Sequence, residues 1–200
     1  MVEAENPLAR ATRSERIVRQ LGDLRGARVL DIGCGPGRVT IPLAQAVGAS
    51  GTVFALDCQR AMLNRVAHKF TKGGLTNVRL IESTLRGDVI DEASLDTAVA
   101  VMVLGEIPNP ATVFPLVFAA LKPGGRLLVA ETIFDPHYLR LGWVRENAAA
   151  AGFAERDLAG NVFGYASLFQ KPAPLPPSES AFANAALRED VRSVTTPLHT

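Results

Sequence analysis

Five residues near the start of the chain have types and spacing suited to grasping a ligand. Asp31 precedes three glycines at alternate positions, Gly33, Gly35 and Gly37, and Asp57 stands about two dozen residues past the first of them. Residues without a Cβ let the backbone pass close to a bound group. A dinucleotide fingerprint would need a third glycine where Arg38 stands, so no pyrophosphate cradle is required. Asp31 closes a short apolar run, Val29 to Ile32, and an anion at a strand's carboxyl end suits a cationic ligand better than a phosphate. A carboxylate at Asp57 can accept from both hydroxyls of a ribose. The chemistry expected is that of holding a positively charged nucleoside.

Those residues need a scaffold, and the hydrophobic pattern supplies one. Val29–Ile32 reads as a buried strand, the glycines as its exit loop, and Val39, Ile41, Leu43, Ala44 and Val47 as one face of the following helix. Gly51–Asp57 is a second strand ending in its acid, which can also cap a helix over 59–70 with Met62, Val66 and Phe70 turned inward. Asn77–Glu82 is a third strand, and Ser94–Leu104 is apolar enough for a central strand covered on both faces. Lys122-Pro-Gly-Gly125 turns into a fifth strand that ends at Glu131. A helix over 139–151 stops at Gly152, and Phe153–Leu158 and Val162–Lys171 then pair as an antiparallel hairpin around Ala159-Gly160-Asn161.

At the front, Thr12–Glu15 has capping-box spacing and opens a helix with Ile17, Val18 and Leu21 on one side, after a flexible stretch over 1–11. Arg10, Arg13, Arg16 and Arg19 spiral around this helix at steps of three, which fits a solvated surface better than a nucleic-acid stripe. The helix opened by Asn109 and Pro110 is apolar almost all round, with Val113, Phe114, Leu116, Val117, Phe118 and Leu121. Such a helix seeks cover on two sides, which points to a homodimer through 111–121 or to cover from the C-terminal tail. A proline-rich linker and tail occupy 172–200, with a short helix expected over 180–192.

Composition excludes several classes. Two hundred residues with 48% apolar content suit one domain, here placed at 12–171. A net charge of +1 with interspersed signs gives no field to draw in nucleic acid or an anionic membrane. No apolar run is long enough to span a bilayer, and no signal peptide is visible, so a cytoplasmic protein is expected. Two cysteines and three scattered histidines lack metal-ligand spacing, so no metal is expected. Cys34 and Cys58 instead follow the first two strands and border one cleft.

Leu30-Asp-Ile-Gly-Cys-Gly-Pro-Gly37 resembles the first motif of class I S-adenosylmethionine-dependent methyltransferases. Leu121–Glu131 and the closing hairpin are similar to the family's fifth strand and sheet edge. The resemblance covers residues 12–171 and implies a Rossmann-like, seven-stranded, mostly parallel sheet between helices, ending in an antiparallel hairpin. It implies S-adenosyl-L-methionine as cofactor, with Asp31, Gly33, Cys34, Gly35 and Gly37 around its methionyl and ribose parts and Asp57 on the ribose. Cys58, Met62, Thr84, Leu85 and Val103 complete the expected pocket, under cover of the leading helix. Thr84 stands where the family commonly has an acid for the adenine amino group; Glu82 and Asp88 are the nearby carboxylates. The implied reaction is in-line methyl transfer to a small, partly apolar acceptor. Glu106 and His137 are the candidate catalytic residues, and Glu106, Glu131 and Tyr138 the candidate acceptor contacts. A cofactor-binding partner or scaffold protein without transferase activity is the alternative.

Overall fold

In a computed structural model the described residues are 7–173, with side chains from Ser14 onward. The chain alternates strands and helices: α1 (Pro7–Gln20), β1 (Arg28–Ile32), α2 (Thr40–Val47), β2 (Thr52–Asp57), α3 (Arg60–Lys72), β3 (Val78–Glu82), β4 (Leu95–Val101), α4 (Val113–Ala120), β5 (Leu121–Thr132), α5 (Leu141–Ala150), β6 (Ala154–Asn161) and β7 (Gly164–Gln170). Seven strands form one sheet in the order β3-β2-β1-β4-β5-β7-β6. β1 through β5 run parallel, and β7 pairs antiparallel with both β5 and β6. The order reverses between β1 and β4, which opens a crevice at their carboxyl ends.

Side chains alternate across the sheet and bury both faces. Leu30, Ala98, Leu127 and Val129 pack with Phe114, Val117 and Val144 of α4 and α5. Their neighbours Val29, Val99, Leu128 and Ala130 pack on the other face with Ile17 of α1, Leu21 just past it, and Leu43 and Val47 of α2. This two-sided burial is why the central strands read as unbroken apolar runs.

Several expected boundaries shift, each for a local reason. α1 begins at Pro7, so the capping-box spacing at Thr12 lies inside a helix opened by a proline. β4 stops at Val101 because Met102 takes φ 52°, and Leu104–Glu106 wind into a 3₁₀ turn. In α3 the buried residues are Leu63 and Val66, while Met62 and Phe70 are half-buried. The hairpin turn falls at Val162-Phe163, past the expected Ala159–Asn161. There the Asn161 side-chain oxygen accepts the Phe163 amide (2.9 Å), and the Ile133 amide donates to the Phe163 carbonyl, tying the tip to the end of β5.

The apolar α4 finds much of its cover within the chain. Phe118 meets Phe153 edge-to-face at 5.0 Å between centroids, and the Lys171 ammonium lies 4.6 Å over the Phe118 ring. Lys171 also donates to the carbonyls of Phe118 and Leu121 (2.7 and 2.8 Å). Pro115 and Ala119 are the exposed residues of this helix, so the apolar face expected to seek a second copy is mostly inside. The short helix expected over 180–192 lies outside the described residues. No helix among the described residues is long and apolar enough to cross a membrane.

Candidate active site

A cavity of about 530 Å³ opens at the carboxyl ends of β1, β2 and β4. Asp31 forms its inner wall. Asp31 is 2% exposed, and among the described residues its carboxyl accepts one hydrogen bond, from the Thr40 hydroxyl at 2.6 Å. Burial, helped by the nearby Asp57 charge and opposed by the Thr40 bond, pushes its pKa up to about 7.

The three glycines do different work. At Gly33 (φ +58°) a Cβ would lie 2.1 Å from a Val103 methyl, so only glycine lets the loop pass the end of β4. At Gly35 a Cβ would meet nothing within 4 Å, because this stretch of backbone faces the open cavity. Gly37 is not in the wall. Its Cβ would press on Val66 at 3.0 Å, so a glycine here allows the close approach of α3.

Asp57 joins the loop to β2. One carboxylate oxygen accepts the Gly35 amide (2.9 Å) and the other the Gln59 amide (2.8 Å), leaving a second lone pair on each. Cys34 and Cys58 are both free thiols in the wall. Burial raises the Cys34 thiol far above its ordinary range, so it stays protonated and inert. Met62, Ser83, Thr84 and Leu85 line the side toward β3. Glu82 pairs with Arg60 and Asp88 with Arg86 (3.4 Å), and neither lines the cavity, so the Ser83–Thr84 segment stands there without a carboxylate.

The opposite side is formed by Met102, Val103, Glu106, Ile107, Pro108 and Asp135. Here the structure redistributes the expected roles. Glu106 is exposed and in the wall. His137 is not in the wall; its ring is 57% exposed, with Nδ1 3.8 Å from Asp135. The loop after β5 reaches the cavity through Asp135 instead, which also accepts the His137 amide (2.8 Å). Tyr138 packs edge-to-face on Tyr165, with ring centroids 6.2 Å apart. Glu131 is 4% exposed and, like Tyr138, lies behind the wall.

Ser14 and Ile17 of α1, Gln59, Met102, Ile107 and Pro108 also line the cavity without having been singled out. A signal existed for Gln59, the second residue past the acid that ends β2. None existed for Met102, whose positive φ is invisible in its residue type.

A glycine loop open to a cavity, between two acids at a sheet's reversal point, marks an α/β domain with its ligand crevice at the carboxyl ends of the strands. Residues 29–125 match a family model described as a methyltransferase domain. A demethylmenaquinone methyltransferase of Geobacillus sp. is 31% identical over 192 residues, covering 77% of this chain and 82% of the relative. A protein of the same name from Lactococcus lactis is 32% identical over 117 residues, and the match spans 46% of its length. A crystal structure of a SAM-dependent methyltransferase from Aquifex aeolicus superposes with a TM-score of 0.75 at 20% identity, covering 83% of this chain and 94% of that one, and so shares the fold. The chain belongs to the class I S-adenosylmethionine-dependent methyltransferases.

The family's cofactor fits what is present. Asp31 has spare acceptor capacity for an ammonium, Gly35 leaves room where a side chain would intrude, and Asp57 has free lone pairs for a ribose.

Proposed function

We propose that this chain transfers a methyl group from S-adenosylmethionine to a small, partly apolar acceptor seated against the 102–108 and 135 side of the cavity. The observation that carries this reading is the mixed far side of the cavity, where Val103, Ile107 and Pro108 stand with the carboxylates of Glu106 and Asp135, opposite the glycine loop and the acids Asp31 and Asp57. Asp31 would hold the cofactor's amino group and Asp57 its ribose, with Met62, Thr84 and Leu85 beside the adenine.

The bound cofactor supplies an electrophilic methyl on a sulfonium, which the acceptor atom takes by in-line displacement. The chain's own tasks are alignment, exclusion of water and removal of a proton where the acceptor carries one. Alignment alone is worth on the order of 7 kcal/mol in well-oriented cases. Glu106 and Asp135 are the wall carboxylates on this side, and Glu106 is the favoured proton acceptor. His137 is set back from the cavity, on Asp135, and belongs to the rim in this reading.

Demethylmenaquinone is the first acceptor to try, from the names of the relatives. The test incubates the protein with methyl-labelled cofactor, once with that compound and once with a cell extract. Label in a small apolar product is expected. Label in nucleic acid or protein would overturn the acceptor class, and cofactor binding without any transfer would favour the scaffold reading.

A further inference from the structure

One side of the cavity follows the ends of three neighbouring strands. Asp31 lies near the end of β1, Asp57 is the last residue of β2, and Ser83, Thr84 and Leu85 follow β3. The Ser83 amide donates to the Asp57 carbonyl (3.2 Å), which holds the exit of β3 against that of β2. Paired strands lie about 4.8 Å apart. A nucleoside held by its amino-acid end at Asp31 and by its ribose at Asp57 therefore has its base at the next exit in line, that of β3.

The side chains at that exit are neutral. The Ser83 hydroxyl is committed to the Thr84 carbonyl (2.9 Å), while the exposed Thr84 hydroxyl has no hydrogen-bond partner among the described residues. Glu82 is held outside the cavity by Arg60, and Asp88 pairs with Arg86 (3.4 Å). The carboxylates that do line the cavity stand at β1, at β2 and on the far side, and Asp57 already accepts the Gly35 and Gln59 amides. A carboxylate only accepts hydrogen bonds, so one placed here would demand an N–H on the base; a hydroxyl can accept or donate. A ligand that lacks a demanded donor is rejected, because it leaves a desolvated charge unpaired. An exposed hydroxyl left without its partner turns back to water at little cost.

We propose that Thr84 sets the base selectivity of this site and leaves it broad: the exocyclic amino group of adenine is not demanded, and a donor whose purine lacks it is accepted. This rests on the reading that the cavity holds the nucleoside of S-adenosylmethionine.

The test measures by calorimetry the binding of S-adenosylhomocysteine and of its 6-deamino analogue, which carries hydrogen in place of the amino group, to wild type and to Thr84→Asp. Wild type should bind the two within about threefold of each other. Thr84→Asp, a change at an exposed position, should prefer S-adenosylhomocysteine by about tenfold or more, the effect of a charge-assisted bond that one ligand cannot make. A tenfold preference in wild type would overturn the proposal, and its loss in Glu82→Gln would trace that preference to Glu82 released from Arg60. Equal binding of both ligands by Thr84→Asp would overturn it as well, since the base would then lie away from Thr84. Failure of wild type to bind S-adenosylhomocysteine at all would remove the cofactor reading and this inference with it, whereas tight binding with strong selectivity would remove this inference alone.

Discussion

Asp31 is a buried carboxyl with one hydroxyl for a partner among the described residues, and its proposed role in holding the cofactor works against its part in stability. In the free protein its raised pKa, about 7 against 3.8, means that the folded state binds a proton the unfolded state does not. Its contribution to stability is full below the unfolded value and is lost as pH rises toward about 7. Asp31→Asn should remove that loss, giving a free protein that melts higher than wild type near pH 8, while S-adenosylhomocysteine binds more weakly by calorimetry. Glu106 has the reverse profile: exposed, in the cavity wall, and with no side-chain hydrogen bond or ion pair among the described residues to break. Glu106→Gln is expected to leave cofactor affinity unchanged and to lower kcat by about a hundredfold if it is the proton acceptor. At this scale the sequence was informative for Asp31, Gly33, Gly35 and Asp57, because a strand's end dictates where its last residues point. It was less so after β5, where an irregular loop has no period to set its phase. Asp135 therefore reaches the cavity in place of His137, two residues on.

Among the elements, the two loops that bring Glu106 and Asp135 to the cavity are held against each other at Gly105. A Cβ there would lie 1.8 Å from the His137 carbonyl oxygen, a backbone atom that cannot swing aside. Gly105→Ala should push the Glu106 turn away from the 133–138 loop. Cofactor binding should survive, since β1, β2 and their loops are untouched, while kcat drops by about a hundredfold, as a misplacement of an ångström can cause. Loss of cofactor binding instead would show that the turn also supports the opposite wall. Gly105 carries no signal of this role in the sequence, because the clash is with a segment more than thirty positions away, a matter of tertiary approach. The hairpin turn was misplaced for a related reason. Gly160-Asn161 is a strong local turn signal, yet β7 pairs with β5 from Arg126↔Gln170 to Thr132↔Gly164. That pairing carries β7 to Gly164 and moves the turn to Val162-Phe163.

For the molecule as a whole, the architecture was readable because its centre is simple: parallel strands buried on both faces give apolar runs, and glycine-bearing loops mark their exits. The cover over α4 was not readable. Lys171, from the end of β7, lies over Phe118 and bonds two carbonyls at the far end of the sheet from the cavity. Lys171→Ala should cost about 1–3 kcal/mol in urea denaturation without altering cofactor affinity. A variant as stable as wild type would return α4 to the list of surfaces in need of a second copy.

What this cavity does depends on where the cofactor lies. A crystal structure with S-adenosylhomocysteine decides it: the ribose hydroxyls should lie within hydrogen-bonding distance of Asp57 and the amino group against Asp31, with the ligand passing over Gly35. A nucleoside bound elsewhere, or a ribose held without Asp57, would contradict the assignment of this cavity.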